Sequence, residues 1–200
     1  MIMKHYTLVF LLLFSAALSQ AQSDTSLNGR LAAFFHANDV FDIEKVMDYT
    51  YPKLFTLVPR EEMIESMKEG YDNDEVKIDI DSMKADRVYS PIQIGGGIYT
   101  RIDYSMIMLV KLKGRDNADT TGNAEMISEM ESAFKDELGN TAVFFDPATQ
   151  SIRIVISSAM AAIKDSYSKD WSFVNLKQDD LTKQLLGEDV VVRLSALRTQ

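Results

Sequence analysis

Fifteen residues, Ile98 to Leu112, alternate with a period of two, and no other stretch of the chain restricts its fold as strongly. The even positions Ile98, Thr100, Ile102, Tyr104, Met106, Met108, Val110 and Leu112 form one nearly continuous apolar face, with Tyr99, Arg101, Asp103 and Ser105 on the other. Such a run demands a sheet whose apolar face is covered by the core. At about 3.3 Å per residue it would extend about 50 Å, longer than a typical strand, so a bend or a β-bulge is expected within it.

Upstream the period is 3.6. Leu27, Leu31, Phe34 and Phe35 recur at helical spacing up to the Asn38-Asp39 break, and Ile43, Val46, Met47 and Thr50 begin a second helix that Pro52 ends. A third follows Pro59, with Glu61 and Glu62 favouring the helix dipole, Met63, Ile64 and Met67 as its apolar face, and Gly70 as its stop.

Beyond an acidic turn at Asp72 to Glu75, Val76, Ile78 and Ile80 alternate with Lys77, Asp79 and Asp81, the pattern of a half-buried antiparallel strand. Gly95-Gly96-Gly97 opens the long strand, and a polar loop covers residues 113–122. Met126, Met130, Phe134 and Leu138 predict a helix over 123–138. Thr141 to Phe145 and Ser151 to Ile163 flank a proline turn, Trp171 to Leu176 (WSFVNL) reads as a closing strand, and a helical tail broken at Gly187 follows Asp179. Helices followed by antiparallel strands define an α+β class in which helices cover one face of a bent sheet.

The order of the N-terminal helical stretch (RLAAFFHANDVFDIEKVMDYTYPKLFTL), the next helix (PREEMIESMKEG), the long strands and the closing WSFVNL resembles the nuclear transport factor two-like, or cystatin-like, domains. The resemblance implies N-terminal helices packed on a strongly bent, cone-like antiparallel sheet around a cavity, with the 123–138 helix as an insertion. Ketosteroid-isomerase and polyketide-cyclase members of that group imply a carboxylate base facing a hydrogen-bond donor, and self-association through the sheet is a further expectation from it.

The N-terminus carries Lys4 ahead of an apolar run, Tyr6 to Leu18, of signal-peptide rather than membrane-span length. Ser19 and Ala21 occupy the small-residue positions of a cleavage site, so export with cleavage after Ala21 is expected, to periplasm or exterior and without a remaining membrane span. This gives a signal peptide over 1–21, a single α+β domain over 22–178, and a helical tail over 179–200 packed on it. The full chain has 21 basic and 30 acidic residues, a net charge of −9; losing Lys4 leaves 20 against 30, or −10. That acidity argues against nucleic acid as a partner.

Cysteine is absent, which removes thiol nucleophiles, disulfides and thiolate metal ligands. After cleavage His36 is the sole histidine, placed to interact with the last carbonyls of the first helix, so neither a usual zinc site nor a Ser-His-Asp triad is expected. The acidic clusters at Asp72, Asp74 and Glu75 and at Asp116 and Asp119 lack the spacing of an EF-hand and read as solvated loops. Neither metal nor cofactor is expected.

Two places remain for function. Asp103, with Tyr99 and Arg101 on one strand face, offers acid, phenol and cation together; the competing reading is a solvent-facing ladder. Inward positions Tyr104, Ser157, Ala159 and Trp171 are candidate ligand contacts on the concave face. The small residues Ser157 to Ala162 around Met160 admit close helix packing, the favoured reading, or leave room for a ligand. Met63 with Met67, and Met126 with Met130, are core filling or a pliable binding face. The leading expectation is a non-enzymatic domain that binds a small apolar ligand or a protein. A cofactor-independent isomerase or cyclase using Asp103 and a structural domain that forms a homodimer are the alternatives.

Overall fold

The computed structural model describes residues 26–113, 128–129, 132, 140–146 and 151–197. The expected signal peptide, the 113–122 loop beyond Lys113 and the proline turn at 147–150 lie outside the described residues, as does the 123–138 helix apart from Ser128, Glu129 and Ser132, which are helical and exposed.

Ser26 caps α1 (Leu27–Asp39) by accepting from the Gly29 N–H, and Asp42 caps α2 (Ile43–Tyr49) by accepting from the Lys45 N–H. A single 3-10 turn, Pro52–Thr56, leads to α3 (Arg60–Tyr71). Gly70 does not stop α3, which runs one residue further before extended backbone at Asp72. The sheet comprises β1 (Val76–Val88), β2 (Ile92–Ile94), β3 (Gly97–Leu112), β4 (Asn140–Asp146), β5 (Ser151–Lys164) and β6 (Ser172–Asn175), and α4 (Asp180–Leu186) and α5 (Glu188–Ala196) follow. The break between these last two falls at Gly187, whose φ of 88° suits glycine. No described helix is long and apolar enough to cross a membrane.

All the strand pairs are antiparallel: β3 and β5 form the centre, β1 and β2 pair with β3, and β4 and β6 pair with β5. The β3–β5 register runs unbroken from Ile98↔Lys164 to Val110↔Ile152. The expected irregularity is instead carried by β1, where Asp81 and Asp86 are extra residues at two register shifts. Each shift inverts side-chain parity, so Val76, Ile78 and Ile80, then Met83 and Ala85, then Val88 all oppose the even residues of β3. This explains why the alternation in the sequence of β1 stops at Asp81 while the strand continues to Val88. An edge strand interrupted by two carboxylate-bearing bulges is also a poor template for pairing with another chain.

Helices cover both faces of the sheet, not one. The even face packs Ile102, Tyr104, Met160, Ala162 and Phe173 against Leu31 and Phe35 of α1. On the odd face, Tyr99, Ala161 and Ile163 pack with Leu185 and Leu186 of α4 and with Val190, Val191 and Leu194 of α5. The small residues Ala161 and Ala162 are both fully buried, one under each layer, and let the helices approach closely. Further along the even face, Met108, Val110, Val143, Ile152, Ile154 and Ile156 form another core.

A part-buried hydrogen bond helps tie the helical segment to the end of β5. The Tyr51 hydroxyl donates to Asp165 Oδ2 at 2.6 Å, while Asp165 Oδ1 accepts from the Tyr167 and Ser168 N–H groups. Burial first, and then the Asp165 carboxylate, push the Tyr51 phenol pKa up. Because the folded value lies above the ordinary phenol value of about 10, the stabilisation is complete below about pH 10 and is lost as the pH rises toward the folded value. Tyr51→Phe is expected to cost about 1–3 kcal/mol at neutral pH and to flatten the alkaline decline in stability, checked by urea unfolding between pH 7 and 11.

Candidate functional site

Arg101 and Asp103 come together as expected, but Tyr99 does not join them. Arg101 Nε donates to Asp103 Oδ1 at 2.6 Å, and the phenol on the other oxygen is Tyr89, whose hydroxyl donates to Oδ2 at 3.0 Å. The Tyr89 ring also carries the Arg87 and Arg101 guanidiniums at 4.4 and 5.9 Å from its centroid. The Arg101 residue is only 8% exposed, so this is no open-water ladder. Tyr99 packs instead beneath α4 and α5, where burial and then the Asp165 carboxylate raise its pKa. Both Asp103 oxygens are engaged by donors, the reverse of what a general base needs to accept a proton. Its partner Tyr89 lies in the β1–β2 connection and could not be assigned from strand periodicity.

His36 is exposed in the last turn of α1, where its carbonyl accepts from the Val40 N–H. Asp72 is paired with Lys113, whose ammonium lowers its pKa. Among the described residues no group of three potential ligands is arranged to hold a metal ion.

A groove lies along the outer edge of β6, beside the bridge from Thr50 to Phe173. Helices packed on opposite faces of a sheet diverge around its edge, and between α1–α3 on one side and α4 on the other they leave a half-open groove of about 300 Å³. Phe34, Met47, Met63, Met67, Met160 and Phe173 form its apolar wall, and Asn175, Lys177, Asp179 and Thr182 lie at its polar end. Phe34 and Phe173 stack with ring centroids 5.0 Å apart.

Strand pairing determines what the edge offers. The Leu176 N–H donates to Ala159 O on one side of the strand, and the Tyr51 N–H donates to Phe173 O on the other. By the alternation of an antiparallel ladder, Asn175 turns its backbone groups the same way as Phe173, outward at the groove it lines. Its side chain is positioned from behind, because the Tyr104 hydroxyl donates to Asn175 Oδ1 at 3.2 Å, which leaves Nδ2 to serve as a donor. Burial pushes the Tyr104 pKa up, so the hydroxyl keeps its proton. Asp179 accepts from the Thr182 N–H at 2.7 Å to cap α4, and this bond holds its carboxyl below the usual range, with Lys177 nearby contributing.

None of the four expected ligand contacts lines this groove. Tyr104 stands behind Asn175; Ser157 is exposed opposite Ser105 and Asn140; Ala159 is buried and supplies a carbonyl to Leu176; Trp171 packs beside α1, its carbonyl accepting from Arg30 Nε. The i, i+4 spacing of Met63 and Met67 was the sequence signal for one wall, but Asn175 and Thr182 carry none.

No protein-family model, curated protein or solved structure matches this chain.

Proposed function

We propose that this is an exported binding domain of the nuclear transport factor two-like type that holds a small apolar ligand in the groove beside β6, without catalysing a reaction. The observation that carries the binding assignment is the groove itself: about 300 Å³, walled by methionine and phenylalanine with a few hydrogen-bonding groups at one end. N-terminal helices on one face of an antiparallel sheet support the family assignment, and the apolar run before Ser19 supports export. Catalysis by Asp103 has less support, because Arg101 and Tyr89 engage the carboxylate from both sides.

An apolar fluorophore such as N-phenyl-1-naphthylamine tests the groove. Its emission is expected to rise on titration with the protein, and Met63→Lys is expected to weaken binding at least about tenfold by placing an ammonium in the apolar wall. Met63 is half-buried, so the thermal midpoint of this variant should stay near that of the parent. No binding, or equal binding by the variant, would overturn the assignment.

A further inference from the structure

We infer that the ligand of the β6 groove is an uncharged molecule with one or two aromatic rings and a single hydroxyl or carbonyl directed at Asn175. This rests on the binding function proposed above and specifies the chemistry of its ligand.

Charge is the first argument. Among the described residues the polar end holds one cation, Lys177, and one anion, Asp179, and the anion is fixed by the N-terminus of α4. The two offset each other. A carboxylate on the ligand would meet Asp179, and an ammonium would meet Lys177, so either charge would enter an apolar groove without a surplus counter-charge to receive it. An uncharged ligand avoids both costs.

Wall chemistry selects rings. Thioethers make favourable contacts with aromatic edges, and an aromatic stack extends at low cost by one more ring. Four methionines, at 47, 63, 67 and 160, line the groove together with a Phe34–Phe173 pair that is already stacked, with planes 24° apart. The volume of about 300 Å³ lies at the small end for ligand pockets and suits one or two rings. At the polar end Asn175 presents outward backbone groups and an amide whose oxygen is taken by Tyr104, enough to receive one hydroxyl or carbonyl.

Calorimetric titration at pH 7 with 2-naphthol, 2-naphthoate, 2-naphthylmethylammonium and decanol tests each part. Naphthol is expected to bind at least about tenfold more tightly than the other three. Equal or tighter binding of a charged naphthyl probe overturns the charge argument, and equal or tighter binding of decanol overturns the ring argument; in both cases the groove remains a binding site. If no probe binds, the underlying function fails instead. Asn175→Asp keeps an acceptor for Tyr104 while adding a carboxylate, and is expected to move the ammonium-to-naphthol affinity ratio toward the ammonium by about tenfold. An unchanged ratio overturns the placement of the polar end.

Discussion

A chain that ends at Gln178 is expected to lose its cooperative thermal transition. The missing segment reads in sequence as a tail, yet α4 and α5 supply Leu185, Leu186, Val190, Val191 and Leu194 to the core on the odd face of the sheet. At about 2 kcal/mol for each buried side chain, removing five of them forfeits about 10 kcal/mol. That is comparable to the entire stability of an ordinary domain, about 5–15 kcal/mol. Truncation would also expose Tyr99, Ala161 and Ile163, inviting aggregation. Circular dichroism on heating checks this, and Leu194→Ala in the full chain offers a graded version, expected to cost about 3 kcal/mol. A truncated chain that still melts cooperatively near the parent temperature would show that the helices decorate the sheet instead of completing it.

Phe173→Ala carries the second-largest expected effect. The ring is 2% exposed, packs with Ile102, Met160 and Ala162, and stacks on Phe34. Deleting it removes an aromatic side chain from a core that cannot close around the gap, because the main chain at this residue is held by the bond from the Tyr51 N–H to its carbonyl. The expected loss is about 3–5 kcal/mol, read as a lower urea midpoint with an unchanged slope. The same deletion enlarges the groove, so probes wider than two rings should gain affinity relative to naphthol even as stability falls.

Much of the architecture was legible because periodicity reports burial directly. The alternation from Ile98 to Leu112 marks β3, the spacing of Leu27, Leu31, Phe34 and Phe35 marks α1, and Gly187 marks the break between α4 and α5. The second half of β1 was not legible, because bulges at Asp81 and Asp86 displace the pattern and a period-two reading has no way to insert a residue. The odd face of β3 differs from its sequence pattern for a related reason. Tyr99, Arg101 and Asp103 look like the solvent side beside an apolar face, but that contrast is relative, and the α4–α5 layer covers part of the polar side as well.

The candidate site shows the same division. Asp103 and Arg101 are two residues apart on one strand, a pairing legible in the sequence, whereas Tyr89 reaches the same carboxylate because the end of β1 pairs with β3. The methionines of α3 signalled an apolar face without indicating what it faced.

The sequence by itself determined most of the helices and strands, the acidity, the absence of thiol chemistry and the expectation of export, since each depends on composition or on neighbours a few residues apart. Tertiary structure alone decided that helices cover both faces, that Asp103 is engaged from two sides, and that a groove opens at β6. Those properties arise from contacts between segments as distant as Phe34 and Phe173 or Tyr104 and Asn175. Two helical layers on opposite faces of one sheet must part where its edge ends, and no local pattern records where that will be.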